Sequence, residues 1–120
     1  MKILIADDSR AMRMVVAHAI RQAGFRGHET MEAPDGAKAL ELATSEHFGL
    51  IISDWNMPNM TGIEFLQKLR EAEIDTPFGF VTTEVSSEMR QQATALGAKF
   101  VIGKPFSPED FEKALGPILD

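Results

Sequence analysis

Residues 50–64 read Leu50-Ile51-Ile52-Ser53-Asp54-Trp55-Asn56-Met57-Pro58-Asn59-Met60-Thr61-Gly62-Ile63-Glu64. A short, unbroken apolar run stops at a carboxylate, a polar loop follows, and a helix begins. Continuous Val, Ile and Leu without alternation is the pattern of a parallel strand buried on both faces. Thr61 and Glu64 have the spacing of a capping box, in which each side chain satisfies the other's free backbone amide. Ile63, Leu66 and the Leu69/Arg70 turn then carry the inward face of the helix.

The same alternation repeats outward in both directions. Further strands are predicted at Lys2–Ala6, more weakly at His28–Glu32, then at Phe78–Val81 and Phe100–Ile102. Between the first two, Met12, Val15, Val16, Ala19 and Ile20 form a helical apolar stripe, with Arg13, His18, Arg21 and Gln22 facing away. Gly24 is its stop signal. A second helix follows Pro34-Asp35-Gly36, with Ala37, Leu40 and the Ala43/Thr44 turn inward. Met89, Ala93 and Leu96 mark a fourth, ending at Gly97. The last opens at Ser107-Pro108, Ser as cap and Pro in the first turn, and Pro117 is expected to end or bend it. Five strands alternating with five helices over 120 residues predict a doubly wound α/β fold, a (βα)5 five-stranded parallel sheet of flavodoxin-like type. One domain, residues 1–120, is expected.

Composition narrows the function. Twelve Lys and Arg against 18 Asp and Glu give a net charge of −6, a poor match to nucleic acid. No cysteine is present, so disulfides, thiolate metal sites and thiol nucleophiles are excluded. No apolar stretch approaches a membrane span and no secretory signal is seen. A cytoplasmic location is the expectation.

In such a sheet ligands bind beyond the carboxyl ends of the strands. Those positions hold Asp7-Asp8, Asp54, Thr82-Thr83 and Gly103-Lys104-Pro105. Three converging carboxylates repel one another and require a cation. Hard oxygen donors without Cys or His suit Mg²⁺. Magnesium keeps open positions for phosphate oxygens, which Lys104 and Thr82 could also bind, and a carboxylate beside it can become the nucleophile that forms an acyl phosphate. Each residue alone has an ordinary reading as a helix cap, a β-former or a solvated lysine; their coincidence on one rim is the signal.

On these residues the chain resembles the response-regulator receiver family, in its stand-alone chemotaxis form. The motifs are Asp7-Asp8, Asp54 within Ser53–Gly62, Thr82 in Phe80-Val81-Thr82-Thr83-Glu84, and Lys104-Pro105-Phe106. The resemblance implies that Asp54 accepts a phosphoryl group from the phosphohistidine of a sensor histidine kinase. It further implies Mg²⁺ held by Asp8, Asp54 and the backbone carbonyl of Asn56, with Asp7 acting through a metal-bound water. Lys104 would pair with the phosphoryl group, Thr82 would move to bond it, and the Lys104–Pro105 bond would be cis. Asn56 and Glu84 would flank the hydrolytic water and tune the autodephosphorylation that resets the signal. The implied protein is a signalling module rather than an enzyme, a monomer without an output domain. Its output would be a contact with a motor switch, a phosphotransfer domain or another effector, through the face of the fourth helix, fifth strand and fifth helix.

Departures from the family pattern are specific. Val101 stands where the family has an aromatic switch, and the aromatic falls one residue earlier, at Phe100; period two puts them on opposite faces, with Phe100 in the core. Thr83 replaces a smaller residue and could narrow access to the site. Gly79 suggests close approach of another element, and Gly103 a looser loop. Trp55 reads either as packing or as the lip of the site. His18, His28 and His47 read as solvated surface. Three other functions stay open: a Mg²⁺-dependent phosphatase of the haloacid-dehalogenase kind, an FMN binder, and a receiver-like domain that only docks partners.

Overall fold

The computed structural model describes residues 1–83 and 85–119. Its elements alternate strictly: β1 Lys2–Ala6, α1 Arg10–Gln22, β2 Glu29–Ala33, α2 Gly36–Ser45, β3 Leu50–Ser53, α3 Gly62–Glu71, β4 Phe78–Thr82, α4 Ser87–Ala95, β5 Phe100–Gly103 and α5 Pro108–Leu119. All pairings are parallel in the order β2-β1-β3-β4-β5. Strand order reverses beside β1, so the carboxyl ends of β1 and β3 flank a crevice.

Side-chain alternation along the strands divides the core into two layers. Ile3, Ile5, Leu50, Ile52, Val81 and Ile102 pack with Val16, Ile20, Phe111 and Leu115 of α1 and α5. Leu4, Ile51, Phe78 and Phe80 pack with Ala39, Phe65, Leu66, Leu69 and Ala93 of α2, α3 and α4. Burying the sheet on both faces is what its unbroken apolar runs require. Among the described residues no helix is long and apolar enough to cross a membrane.

The helix signals hold at most ends. Ser9, Asp35, Thr61 and Ser86 each accept a backbone amide as N-cap, and Thr61 with Glu64 completes the reciprocal box. Gly24 and Gly97 take positive φ just past α1 and α4, the conformation that terminates a helix at low steric cost. Several expectations need correction. Edge strand β2 runs Glu29–Ala33, one residue later than expected; it is polar, and its register is set by pairing with β1. β4 and β5 each extend one residue further, so Gly103 is strand, not loose loop. Val15 is 48% exposed, and Ala37 faces solvent while Gly36, Ala39 and Ala43 turn inward. Pro117 does not end the helix: it lies inside α5, which continues to Leu119, at the cost of the one backbone bond its missing N–H would make. Ser107 Oγ donates to Asp110, whose carboxylate also takes the Ser107 N–H. His28 is half-buried and its Nδ1 meets the terminal amine of Met1.

Candidate functional site

The ends of β1 and β3 bring Asp7, Asp8 and Asp54 together, with one carboxylate oxygen of each within 4.8 Å of the others. Asp7 is buried, Asp54 half-buried and Asp8 exposed. Lys104, just past β5, reaches into the same pocket. Its Nζ lies 3.1 Å from Asp7 Oδ2 and 3.5 Å from Asp54 Oδ2. The Lys104–Pro105 bond is cis, and the Lys104 backbone N–H donates to the Thr82 carbonyl at 2.8 Å. Among the described side chains that meet in the pocket, three carboxylates face one ammonium, an excess of negative charge that a divalent cation would offset. The donor set is oxygen throughout, with no imidazole or thiolate in the group, and so fits magnesium.

Burial raises the Asp54 carboxyl above the ordinary carboxylate range; the charge of Lys104 opposes this and that of Asp7 adds to it. Asp54 Oδ1 accepts the Trp55 backbone N–H at 2.8 Å, which leaves Oδ2 on the lysine side. Thr82 is fully buried at the end of β4, and its Oγ1 has no hydrogen-bond partner among the described residues. An orphaned hydroxyl at a buried strand end is costly unless something else binds it.

Trp55 fits both of its readings. Its amide serves Asp54, while its half-buried ring rests on Phe80 with centroids 4.8 Å apart. Phe80 contacts Phe78 at 5.0 Å, and Phe78 meets Phe65 at 5.4 Å. Val101 pairs with Phe80 across the strands and packs on the α2–α4 layer with Leu96 and Ala98. Phe100 points the other way. Its ring sits on Gly79, its register partner, where any Cβ would collide with it. The close approach expected at Gly79 is therefore this half-buried phenylalanine. Thr83 and Asn56 are exposed; Glu84 lies outside the described residues. His18 and His47 are exposed and join no candidate metal group among the described residues.

Two residues with a part in the site escaped the sequence reading. A Cβ on Gly62 would strike the Asp54 carbonyl oxygen and the Phe80 ring, so α3 can approach this loop only with glycine there; the Gly62 N–H donates to the Trp55 carbonyl at 2.8 Å. Glycine in the first turn of a helix, where it weakens the helix, was the available signal. Arg13, expected to face solvent, has a side chain only 12% exposed. Its Nη1 donates to the Asp7 carbonyl at 2.6 Å and its Nε to Glu32 Oε1 at 2.8 Å.

Comparison with known proteins follows this geometry. A family model described as "Response regulator receiver domain" matches residues 3–116. The chemotaxis protein CheY of Pseudomonas aeruginosa is 35% identical, covering 100% of this chain and 97% of its own length. Chemotaxis protein CheY-3 of Vibrio cholerae is 36% identical, covering 100% and 92%. Among solved structures, V. cholerae chemotaxis protein CheY4 superposes with a TM-score of 0.85 at 42% identity, covering 98% of each chain. The receiver domain of Francisella response regulator 1452 gives 0.82 at 28% identity, covering 98% and 95%.

Proposed function

The chain belongs to the response-regulator receiver family, and we propose that within it Asp54 is the phosphoacceptor of a Mg²⁺-dependent two-component signal. Asp54 attacks the phosphorus of a kinase phosphohistidine; the P–O bond forms as the P–N bond breaks, and the imidazole leaves. Asp8, Asp54 and the Asn56 carbonyl would hold magnesium, with Asp7 acting through water, and the ion would supply charge neutralisation for the phosphoryl oxygens. Lys104 turns from the carboxylates to a phosphoryl oxygen, and the Thr82 hydroxyl donates to another. Hydrolysis of the acyl phosphate resets the domain. The observation that supports this most directly is Lys104 spanning Asp7 and Asp54 inside a pocket that gathers three carboxylates.

Because Val101 stands at the usual aromatic switch position, output rests on Thr82 and on the packing of Phe80 against Val101. The partners are a sensor histidine kinase and an effector protein, met as a cytoplasmic monomer without nucleic acid. The direct test is incubation with acetyl phosphate and MgCl₂. Intact mass should rise by one phosphoryl group in the wild type and not in Asp54→Asn. No gain in the wild type, or an equal gain in the variant, would reject Asp54 as the acceptor.

A further inference from the structure

We propose that Arg13 is a positioning residue for magnesium binding. Its guanidinium holds the peptide that joins Asp7 to Asp8, and Glu32 holds the guanidinium. The inference rests on the magnesium reading of the acidic pocket.

Asp7 is fixed at every polar atom. Its N–H donates to the Ala33 carbonyl at 3.1 Å, Oδ1 accepts the Ser9 N–H at 2.9 Å, Oδ2 faces Lys104, and its carbonyl takes Arg13 Nη1. The carboxylate of Asp8, by contrast, is exposed and has no hydrogen-bond partner among the described residues. Its direction depends on the Asp7–Asp8 peptide, which Arg13 grips through the Asp7 oxygen. The planar guanidinium meets that carbonyl through Nη1 and the Glu32 carboxylate through Nε in one fixed geometry, which the flexible point charge of a lysine ammonium does not reproduce. Arg10, one turn earlier on α1, is exposed, whereas the Arg13 side chain is largely covered where it makes this contact.

Two effects of Arg13 oppose each other. Its positive charge near the pocket repels a cation, while its hydrogen bonds preorganise the ligands. Removing the side chain therefore tightens magnesium binding if charge dominates and weakens it if positioning dominates. The sign separates the two.

The 120-residue chain is titrated with MgCl₂, following Trp55 emission and the magnesium-dependent rise in melting temperature. For Arg13→Ala the midpoint should rise about tenfold, the loss common when a group supporting a metal ligand is removed. Arg13→Lys should rise similarly, and Glu32→Gln less. The weakening should persist in high KCl, which screens charge but not a hydrogen bond. An unchanged or lower midpoint in the folded variants, or full recovery in Arg13→Lys, would overturn the proposal. Should Arg13→Ala not fold, Arg13→Lys and Glu32→Gln decide by the same criterion. A wild type blind to magnesium would reject the pocket reading and this inference together, whereas a responsive wild type matched by its variants would reject this inference alone.

Discussion

Thr82→Val should stabilise the metal-free protein while impairing its activated form. Thr82 is fully buried, and its hydroxyl has no partner among the described residues. Burying a hydroxyl without a partner costs about 1–3 kcal/mol on mutational scales. Valine has nearly the same shape, keeps β-branching at a strand position, and removes that cost. For a chain of this length the gain corresponds to about 4 °C in melting temperature per kcal/mol. Urea unfolding should show a higher midpoint with an unchanged m-value, since the surface exposed on unfolding is the same. With MgCl₂ and beryllofluoride as phosphoryl mimic, the order should shift, because the wild type gains a hydrogen bond to a charged acceptor, about 1.5–3 kcal/mol, that valine cannot make. Equal or lower stability of Thr82→Val without magnesium would refute the reasoning, as would equal stabilisation of both proteins by beryllofluoride.

Asp54 has a raised carboxyl pKa chiefly through burial, so its stability contribution is full below the unfolded value and is lost as pH rises through the raised folded value. Without magnesium, Asp54→Asn should therefore gain on the wild type across that window in urea melts at stepped pH; a constant difference would contradict this. Gly62→Ala should cost about 1–3 kcal/mol by overpacking against the Asp54 carbonyl and Phe80, and should also slow phosphorylation by acetyl phosphate. A variant neutral in both assays would show that the loop yields freely. Arg70→Ala should cost about 2–3 kcal/mol, because its guanidinium bonds the carbonyls of Leu96, Ile74 and Thr76. Thermal melting checks this, and a change below about 0.5 kcal/mol, ordinary for an open surface site, would count against it.

The fold was legible because strands such as Leu50–Ser53 and Phe78–Val81 are apolar on both faces, a pattern few other structures tolerate. β2 was harder: Glu29-Thr30-Met31-Glu32-Ala33 lies at the edge, and only pairing with β1 fixes its start. The acidic pocket was legible because Asp7, Asp8, Asp54 and Lys104 all follow strands whose ends the topology must gather. Arg13 was not. Its partners lie six residues back and 19 ahead, and an arginine on the polar side of a helix reads as solvated. Gly62 failed for a related reason, since a missing side chain does not announce which backbone it admits. Phe100 and Val101 were separable by period two alone, and their opposite packing follows directly from it.

Three features of the site are each unfavourable to folding: three carboxylates against one ammonium, a carboxylate held against burial, and a hydroxyl without a partner among the described residues. Different substitutions could remove them separately, as Thr82→Val and Asp54→Asn would. On the proposed function, a divalent cation bound with a phosphoryl group would answer all three together, through charge for the first two and an acceptor oxygen for the third. The two-layered core supports this arrangement, because Ser53, Phe80 and Thr82 are locked in strands buried on both sides and cannot relax toward water. A rigid scaffold around an uncompensated site makes the ligand-bound state the better satisfied one. On the proposed function, that difference in satisfaction would be carried from Thr82 along β4 to Phe80 and Val101, and so toward the face of α4.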